Sequence, residues 1–205
     1  MDNTAGSLTQ RQKSIIIGSI LGDGYLRIVK GRSNAYLEIN HSSKQKDYVD
    51  WKFLELKRIT ISPPKLRTSN NGRIAYRFST KQLKDLTRLH KSFYHDGKKV
   101  IPEKLKLDSL ILAIWFMDDG SYCRQSDIYL NSQQFDLMSQ QRLLKALKAI
   151  GLEAKLNKDK IYQRIRFMKS SFPKLEKLIA NKLIPSMKYK LGYDPVETCS
   201  DIKSL

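Results

Sequence analysis

Two stretches of this chain are apolar almost all the way round a helix, and both end in the same dipeptide. Ile15-Ile-Ile-Gly-Ser-Ile-Leu-Gly-Asp-Gly24 is one, and Leu110-Ile-Leu-Ala-Ile-Trp-Phe-Met-Asp-Asp-Gly120 is the other. A helix with no polar face has to be buried. In a chain of 205 residues, two such helices are most simply buried against each other. Gly18, Ser19 and Ala113 are small enough to let them approach. That packing sets their C-terminal ends side by side and brings Asp23 next to Asp119. Two carboxylates beside two negative helix ends repel, and hard divalent cations with oxygen ligands are the natural compensation. The glycine after each aspartate is expected to take the left-handed position that ends a helix.

The rest of the chain repeats with these helices. The first is followed by a strand-like YLRI, then AYLEINHSS, then a helix over 47–57. The second is followed by SYCRQ, DIYLNSQ and a helix over 139–150. RIAYRFS (73–79) answers KIYQRIRF (160–167), each read as a strand and each followed by a helix, over 81–94 and 171–181. VIP (100–102) answers LIP (183–185). The first half has a turn-rich insert around Ser62-Pro-Pro and Ser69-Asn-Asn-Gly. The expected fold is α+β, a pseudo-twofold pair of units divided as 1–102 and 103–205. The linker lies around Ile101 to Asp108, with Asp108 capping the second motif helix.

Charge narrows the partner. Lys and Arg number 38 against 20 Asp and Glu, a net +18, which suits a polyanion and above all nucleic acid. No basic amphipathic segment sits beside an apolar anchor, and Leu110–Met117 is far too short to cross a bilayer. The expectation is therefore no membrane. Cys123 and Cys199 form no CxxC and have no histidine beside them, which excludes a zinc finger. The opening MDNTAGSLTQRQKS lacks the apolar core of a secretion signal, so an intracellular protein is expected, in an organelle or a prokaryotic cytoplasm.

IIGSILGDG and LAIWFMDDG resemble the two motifs of the LAGLIDADG homing endonucleases. The likeness is to the single-chain, omega-intron type and covers nearly the whole chain. The motifs depart from the consensus at Leu21 and Met117, neither an acidic position. The resemblance implies an αββαββα unit in each half, with the motif helices at the interface and two antiparallel sheets forming a saddle over DNA. It implies a monomer that cuts both strands across the minor groove of a long, partly palindromic site, using two or three Mg2+ or Mn2+ ions. By matched position Asp23 and Asp119 hold metal, with Gly22 and Asp118 beside them in the metal set and Asp118 read as a supporting acid. Lys99 and Lys190 match the basic residue that each half supplies to the chemistry, with Lys98 and Lys188 as alternatives. Gln133 matches a polar residue that orients the water shell. The repeat gives Ser42 in the first half, with His41 or Gln45 as alternatives, and so predicts unequal half-reactions.

Period-two alternation assigns the reading surface. Arg73 and Arg77 oppose Ile74, Tyr76 and Phe78. Lys160, Tyr162, Arg164 and Arg166 oppose Ile161, Ile165 and Phe167. Tyr25 shares a face with Arg27, Glu38 with Asn40, and Asn131 with Gln133. Such arginines can bind guanine bidentately, and Asn or Gln can bind adenine; the plainer alternative is a sheet face that touches only phosphate. Two other functions fit the charge: an intron-RNA maturase on the same fold, and a DNA-binding regulator on a dead nuclease scaffold. Neither needs both Asp23 and Asp119.

Overall fold

The computed structural model describes residues 7–68, 72–123 and 127–193. The 69–71 part of the first-half turn, Arg124 and Gln125 of SYCRQ, and Cys199 lie outside the described residues. In the first half the chain runs α1 (Gln10–Leu21), β1 (Tyr25–Ile28), β2 (Ala35–Ser42), α2 (Lys46–Leu56), β3 (Lys65–Thr68), β4 (Ile74–Ser79) and α3 (Lys84–Phe93). A short hairpin follows, β5 (Tyr94–His95) and β6 (Lys98–Lys99). The second half gives α4 (Ser109–Asp119), β7 (Gly120–Cys123), β8 (Asp127–Leu130), α5 (Leu137–Ala149), β9 (Ala154–Asp159), β10 (Tyr162–Phe167) and α6 (Phe172–Ile179), then a 3-10 helix over Pro185–Leu191. Each half has one antiparallel four-stranded sheet, ordered β1-β2-β4-β3 and β7-β8-β10-β9. The edge strands β3 and β9 carry residues that the alternation of the sequence had left outside any strand.

The two motif helices form the centre. Every residue of α4 from Ile111 to Asp118 is buried, as are Ile15, Ile16, Gly18, Ser19, Ile20 and Leu21 of α1. Each start is capped. Thr9 and Gln12 form a capping box on α1, and the Asp108 carboxylate accepts from Leu110 N (2.9 Å) and Ile111 N (2.7 Å) on α4. Ser14 Oγ donates to Asp108 Oδ2 at 2.5 Å near the helix starts, and Asp23 N donates to Asp118 Oδ2 at 3.2 Å past the ends. The helices are thus tied near both ends and run in the same direction. Gly18 sits where they touch: a Cβ there would lie 2.6 Å from Ile114 Cβ and 2.8 Å from the Ile111 carbonyl oxygen.

The motif glycines are not left-handed, contrary to expectation. Gly120 has φ −68°, ψ 145°, and Gly24 is absent from the positive-φ positions of the described chain. What each needs is space. A Cβ on Gly24 would come within 2.8 Å of both Ser19 Cβ and the Ser19 carbonyl, and one on Gly120 would strike the Phe116 carbonyl. The chain folds back over the helix end too tightly for any side chain.

Candidate active site

The tight exits after α1 and α4 place the aspartates. Asp119 is the last residue of α4, and Asp23 follows Gly22, the cap of α1. Asp23 leaves about half its side chain open to solvent (48%). Asp119 is largely enclosed. Its pKa is pushed up to about 8, first by burial and then by the charges of Asp118 and Asp23. Burial and Asp118 also raise Asp23, despite its exposed edge, while Lys52, Lys190 and Lys99 pull it back down.

A lysine from each half reaches the main chain beside each acid. Lys99 Nζ donates to the Gly22 carbonyl at 2.7 Å, and Lys190 Nζ donates to the Asp118 carbonyl at 2.7 Å. Each target is the residue just before an acid. The deliveries differ. Lys99 comes from the β5–β6 hairpin, whose two-residue turn is Asp96-Gly97, both at positive φ. Lys190 comes from the 3-10 helix that ends at left-handed Gly192. Burial lowers both ammonium groups, Lys99 to about 8, against the pull of the aspartates. Lys98 is exposed but lines, with Gly22, Asp23, Tyr25, Lys99, Gln134 and Asp136, a cavity of about 420 Å³. Lys188 is half-buried.

Two expected positions fall elsewhere. The glutamine that reaches the acids is Gln134, not Gln133. Its Nε2 donates to Asp119 Oδ2 (3.3 Å) and to the Leu21 carbonyl (3.1 Å). β8 ends at Leu130, and the chain then turns at Gln133–Gln134, so strand alternation no longer decides which side chain points inward. Ser42 caps the next turn, accepting from Lys44 N at 3.4 Å, while His41 Nδ1 lies 3.4 Å from Asp23 Oδ2. The Asp118 side chain is closed to solvent and is taken by Lys52, whose Nζ lies 2.8 Å from Oδ1 and 3.2 Å from Oδ2; Tyr48 OH adds a bond to Oδ1 at 2.8 Å. Nothing in the alternation or spacing of the sequence pointed to Lys52 or Tyr48.

Asp23, His41 and Asp118 offer ligand atoms within 4.8 Å of one another, but the Lys52 ammonium already touches the last two. Among the described residues, no lysine or arginine forms an ion pair with the carboxylate of Asp23 or Asp119. Both are hard oxygen donors, and burial together with the charges of Asp118 and Asp23 pushes the Asp119 carboxyl up to about 8. This donor set fits a divalent cation.

The sheets present their second face away from the helices. In the first, Leu37, Ile39 and Phe78 point into the core. Tyr25, Glu38 and Ser79 form one row across the other face, and Lys65, Arg77 and Asn40 form the next. Arg27 stacks over the Tyr25 ring (5.3 Å), and Arg73 is exposed just before β4. Lys65 and Arg67 belong to this face and were missed because KLRT is a four-residue edge strand in which all four residues are exposed. In the second sheet Ile165 and Phe167 are buried, and Tyr162, Arg164 and Arg166 take the opposite face. Asn131 follows β8, with its N–H donating to the Asp119 carbonyl at 3.0 Å. Arg164 lies over Tyr129 (4.2 Å), and Arg166 is held by Asp127 (2.8 Å). Lys160 is not in the strand: it has φ 57° and forms, with Ile161, the turn between β9 and β10. No helix among the described residues is long and apolar enough to cross a membrane.

Residues 13–175 match the LAGLIDADG DNA endonuclease family. The chain belongs to that family. Among relatives of this LAGLIDADG protein, cytochrome b mRNA maturase bI2 of Debaryomyces hansenii is 30% identical over 201 residues, covering 90% of this chain and 75% of the relative. Probable intron-encoded endonuclease 1 of Wickerhamomyces canadensis is 29% identical over 204 residues, 92% of this chain and 87% of the relative. Protein RecA of Mycobacterium gastri is 33% identical over 90% of this chain, which spans 48% of that relative's length. The homing endonuclease I-WcaI, solved bound to its DNA recognition sequence, matches with a TM-score of 0.83 and 27% identity over 92% of this chain and 89% of that one. I-DmoI, solved with DNA and calcium, shares the fold at a TM-score of 0.54 and 12% identity, over 89% and 98%.

Proposed function

We propose that this LAGLIDADG protein is a site-specific endonuclease that hydrolyses both strands of a long, partly palindromic DNA duplex across the minor groove. It acts as a monomer whose halves are residues 1–102 and 103–205. The observation that carries this reading is the site where α1 and α4 end. Two acids from two repeats stand together, and a lysine from each half reaches the carbonyl just before each acid. A structural role alone gives no reason to gather four buried or half-buried charged groups there.

Asp23 and Asp119 would hold two or three magnesium or manganese ions, with the Gly22 and Asp118 main chains flanking them. Such ions, when bound, neutralise phosphate charge and favour the deprotonated form of water. The protein's own groups do the rest. Lys99 and Lys190 place positive charge next to the acids, where a phosphate undergoing attack gains negative charge. Gln134 fixes one Asp119 oxygen and has a free carboxamide oxygen to accept from water. Tyr25, Arg27, Glu38, Asn40, Arg73 and Arg77 would read one half-site. Asn131, Tyr162, Arg164 and Arg166 would read the other, with Lys160 contacting phosphate from the hairpin tip. Lys65 and Arg67 extend the first surface. The protein would work in whichever compartment holds its target gene, a mitochondrion, a chloroplast or a prokaryotic cytoplasm.

Incubating the protein with supercoiled plasmid carrying the uninterrupted host-gene junction, with and without magnesium, tests this reading. Magnesium-dependent linear product, preceded by a nicked form because the two acids have different neighbours, is expected. Plasmid left intact in the presence of magnesium would refute it. Intron RNA binding is a second reading, favoured by the 30% identity to a maturase.

A further inference from the structure

One buried cation is not used by this chemistry. Lys52, on α2 of the first half, has a side chain closed to solvent, and its Nζ sits 4.3 Å above the Tyr48 ring. It contacts Asp118 of the second half and, at 3.4 Å, His41 Nε2. An ammonium has protons and no lone pair, so it can only donate. His41 Nε2 must therefore accept, and the ring's one proton is left for Nδ1. That proton then faces Asp23 Oδ2, 3.4 Å from Nδ1. A donor on one side and an acceptor on the other select a single tautomer.

The same lysine has a second arm. It pairs with both oxygens of Asp118, and Asp118 Oδ2 accepts the main-chain N–H of Asp23 at 3.2 Å. Both the backbone and the carboxylate of Asp23 are thus tied back to one buried ammonium. Among the described residues Asp119 has no matching device. The repeat-equivalent of Asp118 is Gly22, where a Cβ would overlap the Asp118 side chain, and the group on the Asp119 carboxylate is Gln134.

We infer that Lys52 is a positioning residue: through Asp118 it fixes the main chain of Asp23, and through the His41 tautomer it sets the direction of the Asp23 carboxylate. The two acids are then held by different means, and the half-reaction that Asp23 serves depends on α2. This rests on the reading of Asp23 as a metal-holding acid.

Two variants test it. Lys52→Met together with Asp118→Asn removes an ammonium and a carboxylate at once, so no unpaired buried charge remains, and Asn still accepts from Asp23 N. His41→Phe removes only the carboxylate arm and leaves Lys52 and Asp118 paired. The first readout is the imidazole nitrogen spectrum of the metal-free protein, which has three histidines. Wild-type His41 should carry its proton on Nδ1, and the double variant should lose that preference. The second is the rate of cutting each strand of an end-labelled target. In both variants one strand should slow roughly tenfold more than the other, with the melting temperature of His41→Phe and its DNA affinity close to wild type. A wild-type proton on Nε2 overturns the relay. Equal slowing of both strands, or none, in His41→Phe overturns the positioning role. If the wild type cuts no DNA, the nuclease reading fails while the nitrogen spectrum still tests the relay.

Discussion

Gly18→Ala is the most informative single change at the helix pair. In an isolated helix it would stabilise by about 1 kcal/mol, because glycine is a poor helix former. Here the added methyl would stand 2.6 Å from Ile114 Cβ and 2.8 Å from the Ile111 carbonyl. Carbon contacts are favourable at about 3.5–4.0 Å, so α1 and α4 have to separate by about 1 Å. Forcing an extra carbon into a filled core costs about 1–3 kcal/mol, and a backbone carbonyl gives less than a side chain does. We place the net effect at about 1–2 kcal/mol of destabilisation, which for a chain of this size is a fall of about 3–6 °C in melting temperature. The same 1 Å opens the spacing of the acids at the helix ends, and a displacement of that size can slow a reaction about 100-fold. DNA binding should change little, because the sheet faces are remote from Gly18. Thermal melts followed by circular dichroism, with cleavage rates on the same preparation, decide the matter. A melting temperature that rises, with cutting unchanged, would mean that the helices do not meet at Gly18.

Asp108→Ala removes the α4 cap and the Ser14 partner together, and should lower stability by about 1–2 kcal/mol in denaturant titrations; Asp108→Asn should recover most of it. The metal-free protein should lose stability as pH rises from about 4 to about 8. Asp119 keeps in the folded state a proton that the unfolded chain has released, so its contribution is full below its ordinary pKa of 3.8 and lost through about 8. Lys99 acts oppositely above that: the cost of its buried charge is full below about 8 and gone by 10.5. Magnesium should therefore raise the melting temperature more at pH 8 than at pH 5, and equal shifts at the two pH values would contradict the assignment of Asp119.

The pattern of the chain exposed what depends on burial and repetition. Two unbroken apolar helices and two Asp-Gly steps were enough to set Asp23 beside Asp119, and the arginines of β4 and β10 alternate cleanly against buried Phe78, Ile165 and Phe167. What stayed hidden depends on exact backbone paths. Gln133 and Gln134 are adjacent in a turn, where no periodicity ranks them. Gly24 and Gly120 were expected for their conformational freedom and are needed for clearance. Lys52 lies four residues after Tyr48 on a helix whose sequence, KDYVDWKFLEL, reads as an ordinary mixed face. Only the tertiary path shows that this face meets Asp118 from the other half. Lys99 and Lys190 come from different local structures, and their common role of reaching a carbonyl before an acid appears only in three dimensions.

The central claim is that Asp23 and Asp119 hold the catalytic metal while the sheets hold the DNA. Asp23→Asn, Asp119→Asn and the double substitution separate these directly when target affinity and magnesium-dependent cleavage are measured on the same duplex. Asn keeps the size of the side chain and removes the charge, so the account predicts affinity within a few-fold of wild type in all three. Cleavage should fall by roughly 100-fold or more in each single variant, the scale on which an essential electrostatic group acts, and be absent in the double variant. Near-normal magnesium-dependent cutting by the double variant would contradict the account.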